Sequence, residues 1–537
     1  MSKASEKETR AVVFIGGQIR TMDPEIGQVE VVVIQGDRIV EVGETSLLKS
    51  YPAAEIINLN GSTLIPGFID AHNHLSFGCF LPGWANLRGL FNTEEVLHAI
   101  KSHAQAHPDA AWIVGFPWMD VEQGGAAFTR QDLDESGIDK PVLLIHHSFH
   151  KSVANTQALD MAGISRSSPD PQCGKIVRDS DGMPTGLLFE QAEAPLFKLA
   201  LETSPGEYAD MIEARARQLL PFGITAVHDP GVTPAADAAY RLLHAGGRLP
   251  VSVLMMPHGE TMLDNCITKR LNGPVTGTGD EQLRVGPVKL FADGGVSGTL
   301  AFAGTIGGTP YTLGVPRDDF ADLLADATSR GFRVCVHSIG NAATEAVLTA
   351  FEKAAKVAPE DFGMRPRLEH VFLMNQDQIN RLATMGGCVA VQPCFLQGSQ
   401  ALKHFRFDGL NWFAFSDLVK GGVTVAGSSD DPGGFMDGRD PIKSAVMGAT
   451  MSDAAGIPLF PEQAMSFEQW LQIFTAGAAF SGGQEHERGM LKKGLVADLV
   501  ILDGELDPQN PPVVAETWKD GVRVYARRTQ PGYGKIK

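Results

Sequence analysis

Across the middle of the chain, short apolar runs alternate with amphipathic stretches, and this alternation limits the fold more than any other feature. "AWIVGF", "PVLLIHH", "GITAVHD", "VSVLMM", "VGPVKLFADGG", "FRVCVHS", "RLEHVF", "CVAVQP" and "VTVAGSSD" read as strands. Between several of them lie helical segments such as "DDFADLLADATSRG", ending at Gly331, and "TEAVLTAFEKAAKV". Parallel strands need a crossover of helical length, so this order of elements predicts βαβ units and a parallel sheet. The expected fold class is α/β, with a (β/α)8 TIM-like barrel as its commonest large form. There are more candidate strands than eight, which predicts an insertion at roughly residues 80–220.

Both ends are β-rich instead. "AVVFIGGQIRTM", "EVVVIQGDRIVEVG" and "EIINLNGSTLIPG" are punctuated by Gly16, Gly17, Gly36, Asp37 and Gly43, and "GLVADLVILD" and "VAETWKDGVRVYARR" repeat the signature near the end. Such runs predict hairpins. The reading is a small β-sandwich domain from residues 10–63 and 485–530 around a barrel at 64–484. No fixed-period repeat and no low-complexity tract is present.

A chain of 537 residues exceeds what one small core organises. Its net charge of −18 argues against a nucleic-acid partner and against an acidic membrane surface. No run of about 18 apolar residues predicts a membrane span. The start, "MSKASEKETR", has no apolar stretch behind it, so no secretory signal is expected. Cys79, Cys173, Cys266, Cys335, Cys388 and Cys394 are scattered without a C-x-x-C pair, which predicts reduced thiols and a cytoplasmic location.

In a barrel of this kind the chemistry sits at the C-terminal ends of the strands. "GFIDAHNHLSFG" places His72 and His74 one residue apart at such an end, where alternate residues share a face. That spacing alone fits either a metal or two histidines near a loop. The other strand ends add Lys289 with Asp293, His337, His370, and the adjacent Asp430 and Asp431. Any one of these alone reads more readily as a satisfied core or loop residue. Five strands ending this way together suit a divalent metal held by imidazole and carboxylate, zinc first among candidates.

At this point the chain resembles a known family. "GSTLIPGFIDAHNHL" is similar to the first-strand metal motif of the amidohydrolase superfamily, and the order of motifs resembles its amidohydrolase-3, or YtcJ-like, branch. "SFHKSVANTQALDMAGIS" matches a His-x-x-x-x-Asn stretch, and "GKIVRDSDGMPTGLLFEQA" a hairpin ending in glutamate. "VKLFADGGVSGTLAFAGT", "VHSIGN", "RLEHVFLM", "VAVQPCF", "GSSDDP" and "TAGAAFSGGQEHERGMLKKGLVADLVILD" follow in order. The resemblance implies that His72, His74 and Asp430 bind one metal and that His337 and His370 bind a second. Lys289, carboxylated by CO2, would bridge the two ions, since a carbamate is a good ligand and an ammonium is not. A salt-bridging lysine is the competing reading. Asn341 stands where the family usually has aspartate, removing a negative charge near the site. Asp430, two residues before Pro432, takes the ligand role, and Asp431 is read as a loop or cap residue.

Two divalent ions sharing a water would yield a hydroxide near neutral pH, with Asp430 as the catalytic residue that takes and returns the proton. The expected reaction is hydrolysis of a non-peptide C–N bond in a small, partly apolar molecule: an amide, an N-substituted formamide or a cyclic amide. Trp84, Phe149, His150 and Glu190 are the expected substrate-binding residues. Phe77, Phe80, Trp118, His147, Phe395 and Trp412 are further aromatic or histidine candidates that read equally as packing. The loop "GGVSGTLAFAGTIGGTP" is read as a mobile rim. The alternative is a deaminase with a mononuclear metal, for which Glu369 beside His370 is the supporting feature. A third class, a metal-binding barrel without catalysis, would show lost ligands, and all six positions are present. A homodimer is expected.

Overall fold

The computed structural model describes residues 10–527 except 122–123, 172–173, 260–269, 295–299, 317–319, 360–361, 435 and 454. Eight central strands organise it: β1 (Phe68–Asp70), β2 (Ile224–Val232), β3 (Ser252–Pro257), β4 (Val288–Phe291), β5 (Val334–Ser338), β6 (Arg367–His370), β7 (Cys388–Val391) and β8 (Thr424–Gly427). β1, β2 and β3 are neighbours in one parallel sheet, and β4 to β8 follow in chain order in another. A parallel bridge between His258 and Lys289 links β3 to β4. At the other seam, Ala71 N–H donates to Gly427 O at 3.1 Å and Asp430 N–H to His72 O at 2.8 Å.

β5, β6 and β7 are buried along their whole length. Strands covered on both faces read as near-continuous apolar runs, as "CVAV" does, because no face is left for polar alternation. Ala71, Ala226, Ala390 and Ala426 form a cluster of small side chains with Ile69, Ala478 and Ala479. Their small volume leaves room nearby for the buried side chains of His228, Arg367 and Glu369.

The helices fall where the pattern places them. "DDFADLLADATSRG" contains the helix Phe320–Ser329, and Gly331 at φ 83° takes the left-handed turn beyond its end. "TEAVLTAFEKAAKV" lies largely within the helix Asn341–Ala354. Its N-cap, Gly340, is a required glycine, since a Cβ there would stand 1.9 Å from Ala301 O.

Between β1 and β2 runs a six-stranded sheet in the order 174–178, 184–190, 151–154, 142–146, 113–118, 85–86. The chain ends meet in another six-stranded sheet, where Thr63–Pro66 pairs with both Gln18–Arg20 and Leu499–Asp503. Phe14, Ile19, Val32, Leu64, Leu499, Ile501 and Trp518 share one apolar core there. Residues 528–530 of the expected small domain lie outside the described residues.

Cys79, Cys335, Cys388 and Cys394 are buried free thiols, while Cys173 and Cys266 lie outside the described residues. Among the described residues no helix is long and apolar enough to cross a membrane.

Candidate metal centre

β1 ends at Asp70, and the next residues carry His72 and His74 to the same place as Asp430, which follows β8. Nε2 of His72 and Nε2 of His74 each lie 3.2 Å from Asp430 Oδ1. One donor atom from each of the three lies within 4.8 Å of the others.

Hydrogen bonds on the far side of each ring fix which nitrogen faces inward. His72 Nδ1 is 2.6 Å from Glu369 Oε2. Burial opposes ionisation of Glu369, but the Arg367 guanidinium, 2.7 Å away through Nε, and His72 hold its carboxyl well below the usual range. A carboxylate only accepts, so Nδ1 of His72 carries the proton. His74 Nδ1 donates to the carbonyl of Pro230 at 2.9 Å, and His370 Nδ1 to the side-chain oxygen of Gln392 at 2.9 Å. The Gln392 amide is oriented by its own donation to Ser428 Oγ at 2.9 Å. In neutral imidazole this leaves a lone pair on each Nε2.

The lone pairs of His72 and His74 therefore face a carboxylate oxygen at 3.2 Å, acceptor against acceptor. Nε2 of His72 is buried and makes no hydrogen bond. Burial opposes charge on His72, while Glu369 and Asp430 raise its affinity for a second proton. Burial also opposes ionisation of Asp430, but His72, then His74 and His370, hold its carboxyl well below the usual carboxylate range. Such an arrangement needs a positive centre, and a divalent cation can take the place of the proton. The donor set fits the metal.

The remaining ligand candidates adjoin this cluster. The His370 ring lies 4.8 Å from that of His72 and 4.6 Å from that of His337. Burial pushes the His370 imidazole down to about 3 and that of His337 well below its usual value, so both rings are neutral. Lys289 is buried, with Nζ 4.9 Å from the centroid of the Phe291 ring. Burial lowers its ammonium pKa.

Backbone strain collects here. Among the described residues, Phe149, Glu190, His370 and Asp430 have φ of 59°, 51°, 75° and 56°. Left-handed conformations in non-glycine residues cost about 1–3 kcal/mol each and persist where the surroundings enforce them. All four residues line one cavity of about 650 Å³. Its wall also includes His72, His74, His150, Lys289 and His337.

Three nearby residues have structural partners. Asp431 ion-pairs with Arg215, and with Arg439 at 2.6 Å, a buried anchor for the loop bearing Asp430. Asp293 accepts backbone N–H bonds from Ala301, Ile339 and Gly340 at 2.8–3.0 Å, although burial pushes its pKa up to about 7. Asn341 exchanges two bonds with Ala303, donating to its carbonyl at 2.6 Å and accepting from its N–H at 3.2 Å. The neutral amide thus ties down the hairpin of Phe302–Ile306 and Thr309–Leu313. Gly307 and Gly308, at φ 56° and 80°, close its turn. The expected rim is therefore partly a paired hairpin, and its residues 295–299 lie outside the described residues.

Phe149, His150 and Glu190 line the cavity, but Trp84 does not. Trp84 packs edge-on against Phe77, with centroids 5.6 Å apart, and Phe77 takes the place at the wall. Phe80, Trp118 and Trp412 likewise belong to the core, whereas His147 and Phe395 line the cavity. His150 Nδ1 lies 3.1 and 3.0 Å from the two oxygens of Glu190. Pairing of Lys151 with Phe189 sets that register. Glu369, the acid that favoured a deaminase, has both oxygens committed to His72 and Arg367 and is absent from the cavity wall. Sequence reasoning missed Gln392, His258, Phe197, Phe291 and Phe372; of these Gln392 orients His370, and the others reach the wall.

Residues 55–525 match the amidohydrolase family. The chain belongs to that family. It is 30% identical over 556 residues to the N-substituted formamide deformylase of Arthrobacter pascens, covering 97% of this chain and 99% of that one. It is 30% identical over 515 residues to the amidohydrolase YtcJ of Bacillus subtilis (strain 168), covering 92% and 95%. A metal-dependent hydrolase from Pyrococcus horikoshii OT3 superposes with a TM-score of 0.74 at 25% identity, covering 93% and 98%. This amidohydrolase has an α/β fold of TIM-barrel type and hydrolyses a C–N bond other than a peptide bond.

Proposed function

We propose that this amidohydrolase cleaves the amide bond of a small N-substituted formamide or related amide, using two zinc ions bridged by carboxylated Lys289. The opposed acceptors of His72, His74 and Asp430 carry this reading, because only a positive centre reconciles them. The buried Lys289, with its lowered pKa, supports the bridge, since a neutral amine is the form that adds CO2. The name of the Arthrobacter relative supports a formamide.

A bound divalent ion supplies an acidified water and a polarised carbonyl at neutral pH. The chain's own residues do the rest. Asp430, anchored through its neighbour Asp431, takes the proton from the attacking water and returns it to the leaving nitrogen. Glu369 keeps the His72 ring in one tautomer and orientation. Phe77, Phe149, Phe197, Phe291, Phe372 and Phe395 give the cavity an apolar wall suited to the substituent on nitrogen. In the same reading, the links at both seams close the eight central strands into a barrel, and the sheets of the two chain ends form the small β-sandwich.

The test is hydrolysis of a panel of N-alkyl and N-aryl formamides by metal-loaded and chelator-treated enzyme, following amine release. Turnover that depends on metal and rises with the apolar size of the substituent supports the reading. Turnover of aminopurines or aminopyrimidines with ammonia release, and none of formamides, would favour the deaminase instead.

A further inference from the structure

We propose that His147 is a specificity-determining residue, which hydrogen-bonds an uncharged polar group at the far end of the substituent on nitrogen. The proposal rests on the formamide reading above and adds what that substituent carries.

His147 stands on a turn built to present it. Its own N–H donates to Trp118 O at 3.1 Å, and the N–H of Phe149 closes the turn on His146 O at 3.0 Å. His146 Nδ1 accepts from the N–H of Ser148 at 3.3 Å, so this nitrogen carries no proton and accepts from the Ser148 hydroxyl at 2.8 Å as well. The same hydroxyl oxygen accepts the His150 N–H at 3.4 Å. The turn is thus held from within, and the side chain of Ser148 is used in holding it.

The ring of His147 is not. It lines the cavity and packs on the ring of His146 with centroids 4.3 Å apart. Among the described residues, neither of its nitrogens makes a hydrogen bond. His72, His74, His150, His337 and His370, on the same wall, each have one ring nitrogen bonded to the protein. A polar ring without a protein partner in such a cavity takes its partner from what fills the cavity.

Position separates this ring from the reaction. His150 feels the charges of Glu190, Asp430 and Asp293, whereas those that bear on His147 are Lys151, Asp120 and His150. His147 therefore lies on the inserted-sheet side of His150, away from the metal centre. Burial, and then the Lys151 ammonium, push its imidazole down to about 4, so the ring is neutral. A neutral imidazole has one N–H donor and one acceptor nitrogen, and a hydroxyl or a carboxamide matches both. Lys151 and Asp120 pair with each other, so an ion at this end meets charges of both signs. The substrate is then a formamide whose substituent is apolar along the phenylalanine wall and ends in a hydroxyl or carboxamide.

The experiment measures kcat and KM of the metal-loaded full-length chain on two matched series. One is N-(ω-hydroxyalkyl)formamides of increasing chain length, and the other is N-alkylformamides with a methyl in place of the hydroxyl. His147→Phe keeps a ring but removes both nitrogens, and His147→Gln keeps a donor and an acceptor. Zinc per chain and circular dichroism check that each variant is folded and loaded. At one chain length the hydroxyl compound should exceed its methyl counterpart by about tenfold or more in kcat/KM, through KM. His147→Phe should abolish or reverse that preference, and His147→Gln should retain part of it. Equal kcat/KM for the two series at every length in the parent would overturn the proposal even if neither variant folds. A preference undiminished in His147→Phe would also overturn it, and both results leave the formamide reading intact. A parent that hydrolyses neither series overturns the formamide reading and the proposal with it.

Discussion

The carboxylate of Asp70 accepts the backbone N–H of Ser429 at 2.9 Å and its hydroxyl at 2.5 Å. It also accepts Asn73 Nδ2 at 2.9 Å and the N–H of His72 at 3.3 Å. One buried side chain thus joins the end of the first central strand to the end of the last, and so brings His72 and Asp430 together. Asp70→Asn sets an amide donor among four donors. It should destabilise the fold by about 1–3 kcal/mol and weaken metal binding, checked by urea unfolding and chelator competition.

Glu369→Gln keeps the volume at 369 but loses the negative charge that faces both His72 and Arg367. The His72 ring then loses its enforced tautomer. Metal affinity should fall by roughly 10–100-fold while circular dichroism stays native. Calorimetric titration of the metal-free variant with zinc measures this.

Asn341→Asp restores the residue usual in the resembling family but removes the donor to Ala303 O and opposes a carboxylate to a carbonyl. The hairpin at 302–313 should loosen, at a cost of about 1–3 kcal/mol. Faster hydrogen exchange confined to that hairpin and its contacts is the expected signature. A change in metal content without altered exchange would mean that the lost charge matters more than the lost hydrogen bond.

Glu193 supplies a pH prediction away from the metal. It is fully buried, and burial, with Glu190 adding, raises its pKa well above the ordinary value. The folded state therefore holds the proton more tightly than the unfolded state, and stability falls as pH rises above about 4.5, the unfolded value. Glu193→Gln removes that dependence. Its melting temperature should exceed the parent's by more at pH 8 than at pH 5, as thermal unfolding at the two pH values would show.

Several strands were legible because burial on both faces writes itself as continuous apolar sequence: "CVAV" is β7 and "VTVAG" contains β8. His337 was legible as a candidate because it follows such a run, "VCV", and His370 because it ends "RLEH" at the same level of the next strand. The partners behind them were not. Pro230 behind His74 and Gln392 behind His370 are set by loop paths and by register between neighbouring strands, which no local pattern encodes. Glu369 was visible, but its direction was not, since a buried acid beside a histidine reads alike whether it faces substrate or a neighbouring ring. Trp84 misled for a related reason. Aromatics cluster behind a cavity as readily as at its wall, and Phe77 took the front position.

The most direct test of the central claim is the metal content of protein purified without chelator, beside a Lys289→Ala variant. The account predicts about two divalent ions per parent chain, and a clear fall in the variant with folding retained. A parent chain with no stoichiometric metal would contradict it.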